Sequence, residues 1–232
     1  MAALSAFSKN EQHPMTYRLV IGDKNTSSWS LRPWLAMRQA GIPFEEINIK
    51  LRQPDTKAQI LRYSPAGKVP TLLTGDGQAI WDSLAILEYL AEAHPEARLW
   101  PEKREARALA RSVSAEMHSG FAALREHCPM ELLTRAPMTT LPDAVDAEVR
   151  RILALWRDCR RRFGASGALL FGAFTAADAM YAPVATRLRT YLPDLAAYGD
   201  DGTARAYVEV LFALPAMTVW EAGARRQTQG SA

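Results

Sequence analysis

The chain reads as an α/β domain followed by an all-helical domain. Three observations predict that class. Strand and helix signals alternate from Tyr17 to His94. Pro95 and Pro101 then bracket a short polar stretch. Beyond it, apolar residues recur at helical spacing, with no strand signal of comparable strength.

Tyr17 to Ile21 is a short apolar-rich run that predicts a buried strand. A polar loop, Gly22 to Trp29, follows. The first helix is expected from about Leu31 to Ala40, stopped by Gly41. Pro33 belongs in its first turn, where the missing N–H removes no intrahelical bond, and that makes Ser30 the expected N-cap. Phe44 to Ile49 alternates like a second strand, and a helix is expected near Thr56 to Tyr63. A strand then begins at Pro70, a hairpin turns at Gly75-Asp76-Gly77, and a helix opens on Asp82-Ser83 and runs to about His94. The order β-α-β-α-β-β-α implies a parallel pair joined by a right-handed crossover, with the hairpin adding antiparallel strands. That order describes a thioredoxin-like domain.

In the second half, helices are expected over about Arg104–His127, Pro142–Phe163, Ala176–Thr190, Asp201–Phe212 and Pro215–Ala224. Thr175-Ala-Ala-Asp178 places a hydroxyl at an N-cap and a carboxylate at N3, the pattern of a capping box. Pro183 falls inside that helix and is expected to kink it. The resulting division is a disordered extension over 1–14, a thioredoxin-like domain over 15–94 and a linker over 95–103. A helical domain over 104–226 and a tail over 227–232 complete it. Met15, just ahead of the first strand, is a candidate alternative start.

The formal charge of +3 is too small to argue for nucleic acid as a partner. Arg160-Arg161-Arg162 closes an expected helix, where it complements the helix dipole. The two cysteines, Cys128 and Cys159, are far apart and flanked by nothing with metal-site spacing. They read as reduced thiols, which points to a reducing compartment, the cytoplasm, and to no metal. No apolar run approaches the roughly 20 residues that span a membrane. The first 14 residues lack the continuous apolar core of a secretory signal.

Two short segments carry the chemistry. Val69 offers backbone groups that the sheet leaves free, because Pro70 cannot donate. Asp82 and Ser83 sit where a helix start points unpaired N–H groups at whatever binds. Together they suit a peptide-like anionic ligand. Upstream, Ser27, Ser28 and Ser30 place three hydroxyls at the start of the first helix.

These halves and motifs together resemble the glutathione S-transferase family of the soluble, cytosolic type, over almost the whole stretch from Tyr17 to about Ala224. Val69-Pro70 is similar to the family's cis-proline element. Asp82-Ser83 is similar to its acid–serine pair for the γ-glutamyl end of glutathione, and Thr175 to Asp178 to its capping box. Asn25-Thr-Ser-Ser-Trp-Ser-Leu-Arg32 looks like the serine-rich loop of the zeta class and its bacterial relatives, and Pro183 fits the same pattern. The resemblance implies glutathione as cosubstrate, a small electrophile as second substrate and a homodimer. It puts the catalytic hydroxyl at Ser27, with Ser28 as runner-up. It implies Lys68, Val69, Pro70, Asp82 and Ser83 for glutathione, and Trp29, His118 and Arg187 for the second substrate.

Such chemistry needs a thiolate near neutral pH. Lowering a thiol pKa by two units from about 8.5 takes roughly 2.7 kcal/mol. One hydroxyl hydrogen bond to a charged acceptor contributes about 1.5–3 kcal/mol, and a helix N-terminus about 0.3–1. A serine at a helix start is therefore sufficient without a general base. Glutathione-dependent isomerisation of the zeta (maleylacetoacetate isomerase-like) type is the alternative reaction. A glutathione-binding or assembly module without catalysis is the alternative of another class. Thiol–disulfide exchange would need a cysteine near the first helix, where the chain has none.

Overall fold

The computed structural model describes residues 17–230. The expected extension over 1–14, Met15 and the last residues of the expected tail lie outside them. Strands β1 (Tyr17–Ile21), β2 (Phe44–Asn48), β3 (Thr71–Leu73) and β4 (Ala79–Ile80) alternate with helices α1 (Ser28–Gln39), α2 (Thr56–Leu61) and α3 (Ser83–Ala93). Six further helices follow: α4 (Arg104–Ser119), α5 (Ala122–His127), α6 (Asp143–Phe163), α7 (Ala176–Tyr191), α8 (Thr203–Ala213) and α9 (Pro215–Gln229).

The sheet has four strands in the order β2-β1-β3-β4. Tyr17 of β1 lies opposite Phe44 in a parallel pair, and Leu19 lies opposite Leu72 in an antiparallel one. Side chains alternate across a strand. Tyr17, Leu19 and Ile21 therefore enter the main core with α1 and α3, while Val20 joins Ile49, Ile60 and Leu73 under α2. Burial on both faces explains why β1 is apolar at every position but the exposed Arg18.

Helix α1 departs from expectation. It opens at Ser28 with Ser27 at the N-cap, so Ser30 is not the cap and Pro33 lies inside the helix, past the first turn. An interior proline costs about 3 kcal/mol. Leu31, Trp34 and Leu35 are each fully buried, and burying one such side chain contributes about 1.5–3 kcal/mol. The packing of this helix against the sheet and α7 outweighs the local penalty.

The expected helix from Arg104 to His127 is two helices. Gly120 ends α4, and a Cβ there would stand 2.7 Å from the Glu116 carbonyl oxygen. Phe121 then turns the chain at a φ of 53° before α5.

Helix α7 is buried along nearly its whole length. The Asp178 carboxylate accepts from the Thr175 N–H at 2.8 Å and the Thr175 hydroxyl at 3.0 Å. It also accepts from the Leu170 N–H at 3.1 Å and the Tyr207 hydroxyl at 3.0 Å. Burial pushes this carboxyl above the usual range, and the four bonds pull against that push. Pro183 lies inside α7, and its carbonyl accepts from Thr186 and Arg187.

Helix α9 runs through Gln229, past the expected helix end at about Ala224. It returns to the first domain. The Trp220 indole N–H donates to the Lys24 carbonyl at 2.8 Å, and Trp220 packs 4.9 Å from Trp34. The arginine run at the end of α6 is satisfied locally: Arg161 and Arg162 pair with Asp158, and Arg160 donates to the Gly167 and Leu169 carbonyls.

Candidate functional site

The site lies where the starts of α1 and α3 face α4. The Val69–Pro70 peptide bond is cis. Among the described residues, the Val69 N–H and C=O take part in no hydrogen bond, because β3 starts only at Thr71. Lys68 is exposed and has no carboxylate within salt-bridge distance among the described residues.

Asp82 caps α3. Its Oδ1 accepts from the Leu84 N–H at 3.0 Å and the Ala85 N–H at 3.4 Å, and its Oδ2 is in hydrogen-bond contact with His118 Nε2 on α4. The cap leaves the first amide of the helix, that of Ser83, unpaired. Ser83 is 1% exposed, and its hydroxyl oxygen is buried with no partner. An unpaired buried hydroxyl and an unpaired amide on one residue fit an anionic oxygen, and a ligand carboxylate supplies one.

The loop ahead of α1 is held from several sides. The Asp23 carbonyl accepts from the Thr26 and Ser27 amides. Asn25 donates to Glu131 at 3.0 Å and accepts the Leu133 N–H at 3.0 Å. The buried Lys24 ammonium lies 2.6 Å from Glu46 and over the rings of Trp34 and Trp220. Trp34 is fully buried core, and its indole N–H donates to Glu46 at 2.7 Å.

The three serines differ in their bonding. The Ser27 hydroxyl donates to Ser30 Oγ at 2.7 Å, and Ser30 Oγ also accepts the Gly22 N–H at 3.1 Å. Ser28 Oγ accepts from Arg187 at 3.4 Å. An oxygen that accepts keeps its own proton to donate elsewhere.

Trp29 is half-buried beside His118, with ring centroids 5.4 Å apart, so these two sequence-selected residues share one wall with Asp82. Arg187 is placed differently. It is 4% exposed, and its three nitrogens meet the carbonyls of Cys128 and Pro183 and the Ser28 hydroxyl. It lies under the serines rather than in the wall. Arg189 is taken up by Glu221 and Phe212, away from the site.

Sequence reasoning missed Arg32, which is fully buried on α1 with its guanidinium 4.0 Å from the Trp29 ring. The available signal was a cation inside an otherwise apolar helical stretch with no acidic residue in the same helix. Arg125, 5.7 Å from the Trp29 ring, carried no such signal. Among the described residues, no group of His, Cys, Asp and Glu could hold a metal ion, and no helix is long and apolar enough to cross a membrane.

Fold and site define a two-domain protein in which a thioredoxin-like half presents a helix start and a free strand edge beside an all-helical half. The family model described as "Glutathione S-transferase, N-terminal domain" matches residues 26–93, and that described as "Glutathione S-transferase, C-terminal domain" matches 142–221, together nearly two thirds of the chain. The chain belongs to the glutathione S-transferase family. A probable maleylacetoacetate isomerase of Caenorhabditis elegans is 36% identical over 112 residues, 48% of this chain and 51% of that protein. The maleylacetoacetate isomerase of Rattus norvegicus is 37% identical over 107 residues, 44% of this chain and 47% of that protein. The chain thus spans about half the length of the curated relatives it matches. A Burkholderia glutathione transferase homologue solved with bound glutathione superposes with a TM-score of 0.66 at 24% identity, covering 91% of this chain and 98% of that one. An epsilon-class glutathione S-transferase of the housefly, Musca domestica, gives 0.68 at 20% identity, covering 91% and 94%.

Proposed function

We propose that the chain is a glutathione transferase that activates the glutathione thiol through a serine hydroxyl at the start of α1. The observation that carries the reading is Ser83, whose buried hydroxyl and first-turn amide lack partners among the described residues. Both donate to the γ-glutamyl carboxylate, and the helix start favours that charge. The unpaired Val69 N–H and C=O take the cysteinyl backbone as a short strand edge. Lys68 pairs with the glycine carboxylate. This arrangement sends the sulfur toward the serines.

The bonding of the serines supports Ser28 as the donor to sulfur and Ser27 as its support, because Ser28 Oγ accepts from Arg187 and so keeps its own proton to donate, whereas Ser27 is bonded to Ser30. The thiol proton leaves to water. The thiolate then attacks the electrophile, and the new carbon–sulfur bond forms as the bond to the leaving group breaks. Trp29 and His118 line the side from which the second substrate approaches. The reading includes a cytoplasmic homodimer, consistent with two buried free thiols and with exposed Leu61 and Trp81 on the first domain.

Calorimetric titration with glutathione tests it, together with conjugation of an activated chloroarene by the wild type and by Ser83→Ala. Binding that weakens in Ser83→Ala is expected, and absence of binding to the wild type would sink the reading in favour of a non-catalytic module. A second reading, glutathione-dependent isomerisation, is favoured by the names of the relatives, several of them maleylacetoacetate isomerases. Turnover of maleylacetoacetate without a glutathione adduct would establish it.

A further inference from the structure

Two arginines beneath the serines form no ion pair with a carboxylate among the described residues. Arg32 donates to the Met180 carbonyl at 3.2 Å, the Ser28 carbonyl at 2.8 Å and the Met117 sulfur at 2.9 Å. Arg187 donates to the Cys128 carbonyl at 2.9 Å, the Pro183 carbonyl at 2.9 Å and Ser28 Oγ at 3.4 Å. Every acceptor is neutral. No carboxylate of the described residues forms an ion pair with either cation, although elsewhere on the molecule buried Lys24 has Glu46 and half-buried Arg189 has Glu221. A buried cation without a directly paired anion is strongly unfavourable, and an anion brought beside it relieves that cost.

Both arginines grip the same residue, one at its carbonyl and one at its hydroxyl oxygen. The other charged groups around them are Arg125 from α5, Asp82 at the start of α3, and His118 on α4, which is engaged with Asp82. The Cys128 thiol beside Arg187 is pushed up by burial and stays neutral. The balance at Ser28 is therefore positive. Burial, and after it the neighbouring arginines, lowers both guanidinium pKa values, that of Arg187 to about 10; a guanidinium nevertheless keeps its charge near neutral pH.

We infer that Arg32 and Arg187 are positioning residues for thiol activation: they fix Ser28, turn its proton away from themselves toward the sulfur, and hold the bound thiol as thiolate by their uncompensated charge. The inference rests on the glutathione reading above and deepens it. No co-reactant is needed, since the thiol proton goes to water and the anion completes the charge balance of the site.

The test is the ultraviolet thiolate absorbance of bound glutathione against pH, in the wild type, Arg187→Gln, Arg187→Lys and Ser28→Ala. Losing one nearby cation shifts a titration by about one pH unit or more. Arg187→Gln should therefore move the midpoint upward by about one unit and leave roughly tenfold less thiolate at a pH below both midpoints. Arg187→Lys, which keeps the charge, should restore most of that loss. A purely structural arginine would lower stability or affinity and leave the midpoint where it was, and that result overturns the inference. If Arg187→Gln does not fold, the small truncation Ser28→Ala decides: a raised midpoint supports the inference, and an unchanged one overturns it. A wild type that binds no glutathione overturns the functional reading itself, whereas binding with an unmoved midpoint overturns only this inference.

Discussion

The Ser27 and Ser30 hydroxyls are hydrogen-bonded to each other at 2.7 Å, which ties Ser27 into the first turn of α1. Neighbouring Ser28 instead accepts from Arg187. The two adjacent hydroxyls therefore have different partners. Removing a hydrogen bond to a charged acceptor costs about 1.5–3 kcal/mol. Ser28→Ala is expected to lower kcat/KM for conjugation roughly 10- to 100-fold. Ser27→Ala should lower it by less than about fivefold, because it removes only support between neutral groups. Steady-state kinetics of the two variants, side by side, distinguishes the roles, and the reverse order would return the sulfur contact to Ser27.

Ser83 gives a test in which stability and binding move apart. Its hydroxyl is buried without a protein partner, so Ser83→Ala removes an unsatisfied group. The unliganded protein should keep its Tm or gain about 1 kcal/mol of stability. Glutathione affinity should fall about tenfold or more, since a charge-assisted bond to the ligand is lost. Thermal unfolding with and without glutathione reads both. A lowered Tm in the unliganded variant would mean that the hydroxyl has a structural partner after all.

Asp178 holds four donors from three parts of the helical domain. Asp178→Ala leaves them buried and unpaired, at about 1–3 kcal/mol for each that water cannot reach. The expected loss exceeds about 3 kcal/mol in urea unfolding. Asp178→Asn, which keeps acceptor oxygen but cannot serve all four donors, should lie between. Equal stability of all three proteins would show that the network contributes nothing net.

The two thiols should be silent in the folded protein. Burial pushes Cys159 up to about 12 and raises Cys128 as well. The thiolate is the reactive form. At pH 8 an aromatic disulfide reagent should titrate neither cysteine until denaturant is added, and then both. Rapid labelling of either in native buffer would contradict their placement.

What was legible in the sequence was local. β1, the hairpin and the helix start at Asp82 are announced by residues within a few positions of one another, and so is the box at Thr175. The start of α1 was not legible, because Pro33 argues locally for a shorter helix. Its counterweight is packing against the sheet and α7, whose residues lie far along the chain. Gly120 was ambiguous for a similar reason, since a helix tolerates an isolated glycine and only the close approach of the Glu116 carbonyl shows that this one ends it. The site divides the same way. Val69, Asp82 and Ser83 announce themselves by type and position. Arg32 acquires meaning only through Met117 and Met180, contributed by α4 and α7.

The contact between Trp220 and Lys24 has a consequence for biosynthesis. The loop bearing the serines is backed by α9: Lys24 donates its amide to Gln227 at 2.8 Å and gives its carbonyl to Trp220. During translation the loop emerges 196 residues ahead of the tryptophan that backs it. A nascent chain can lay down the sheet and the start of α3 well before α9 is made, yet the serine loop gains this support only when α9 has left the ribosome. Support of the serine loop is thereby tied to the emergence of α9.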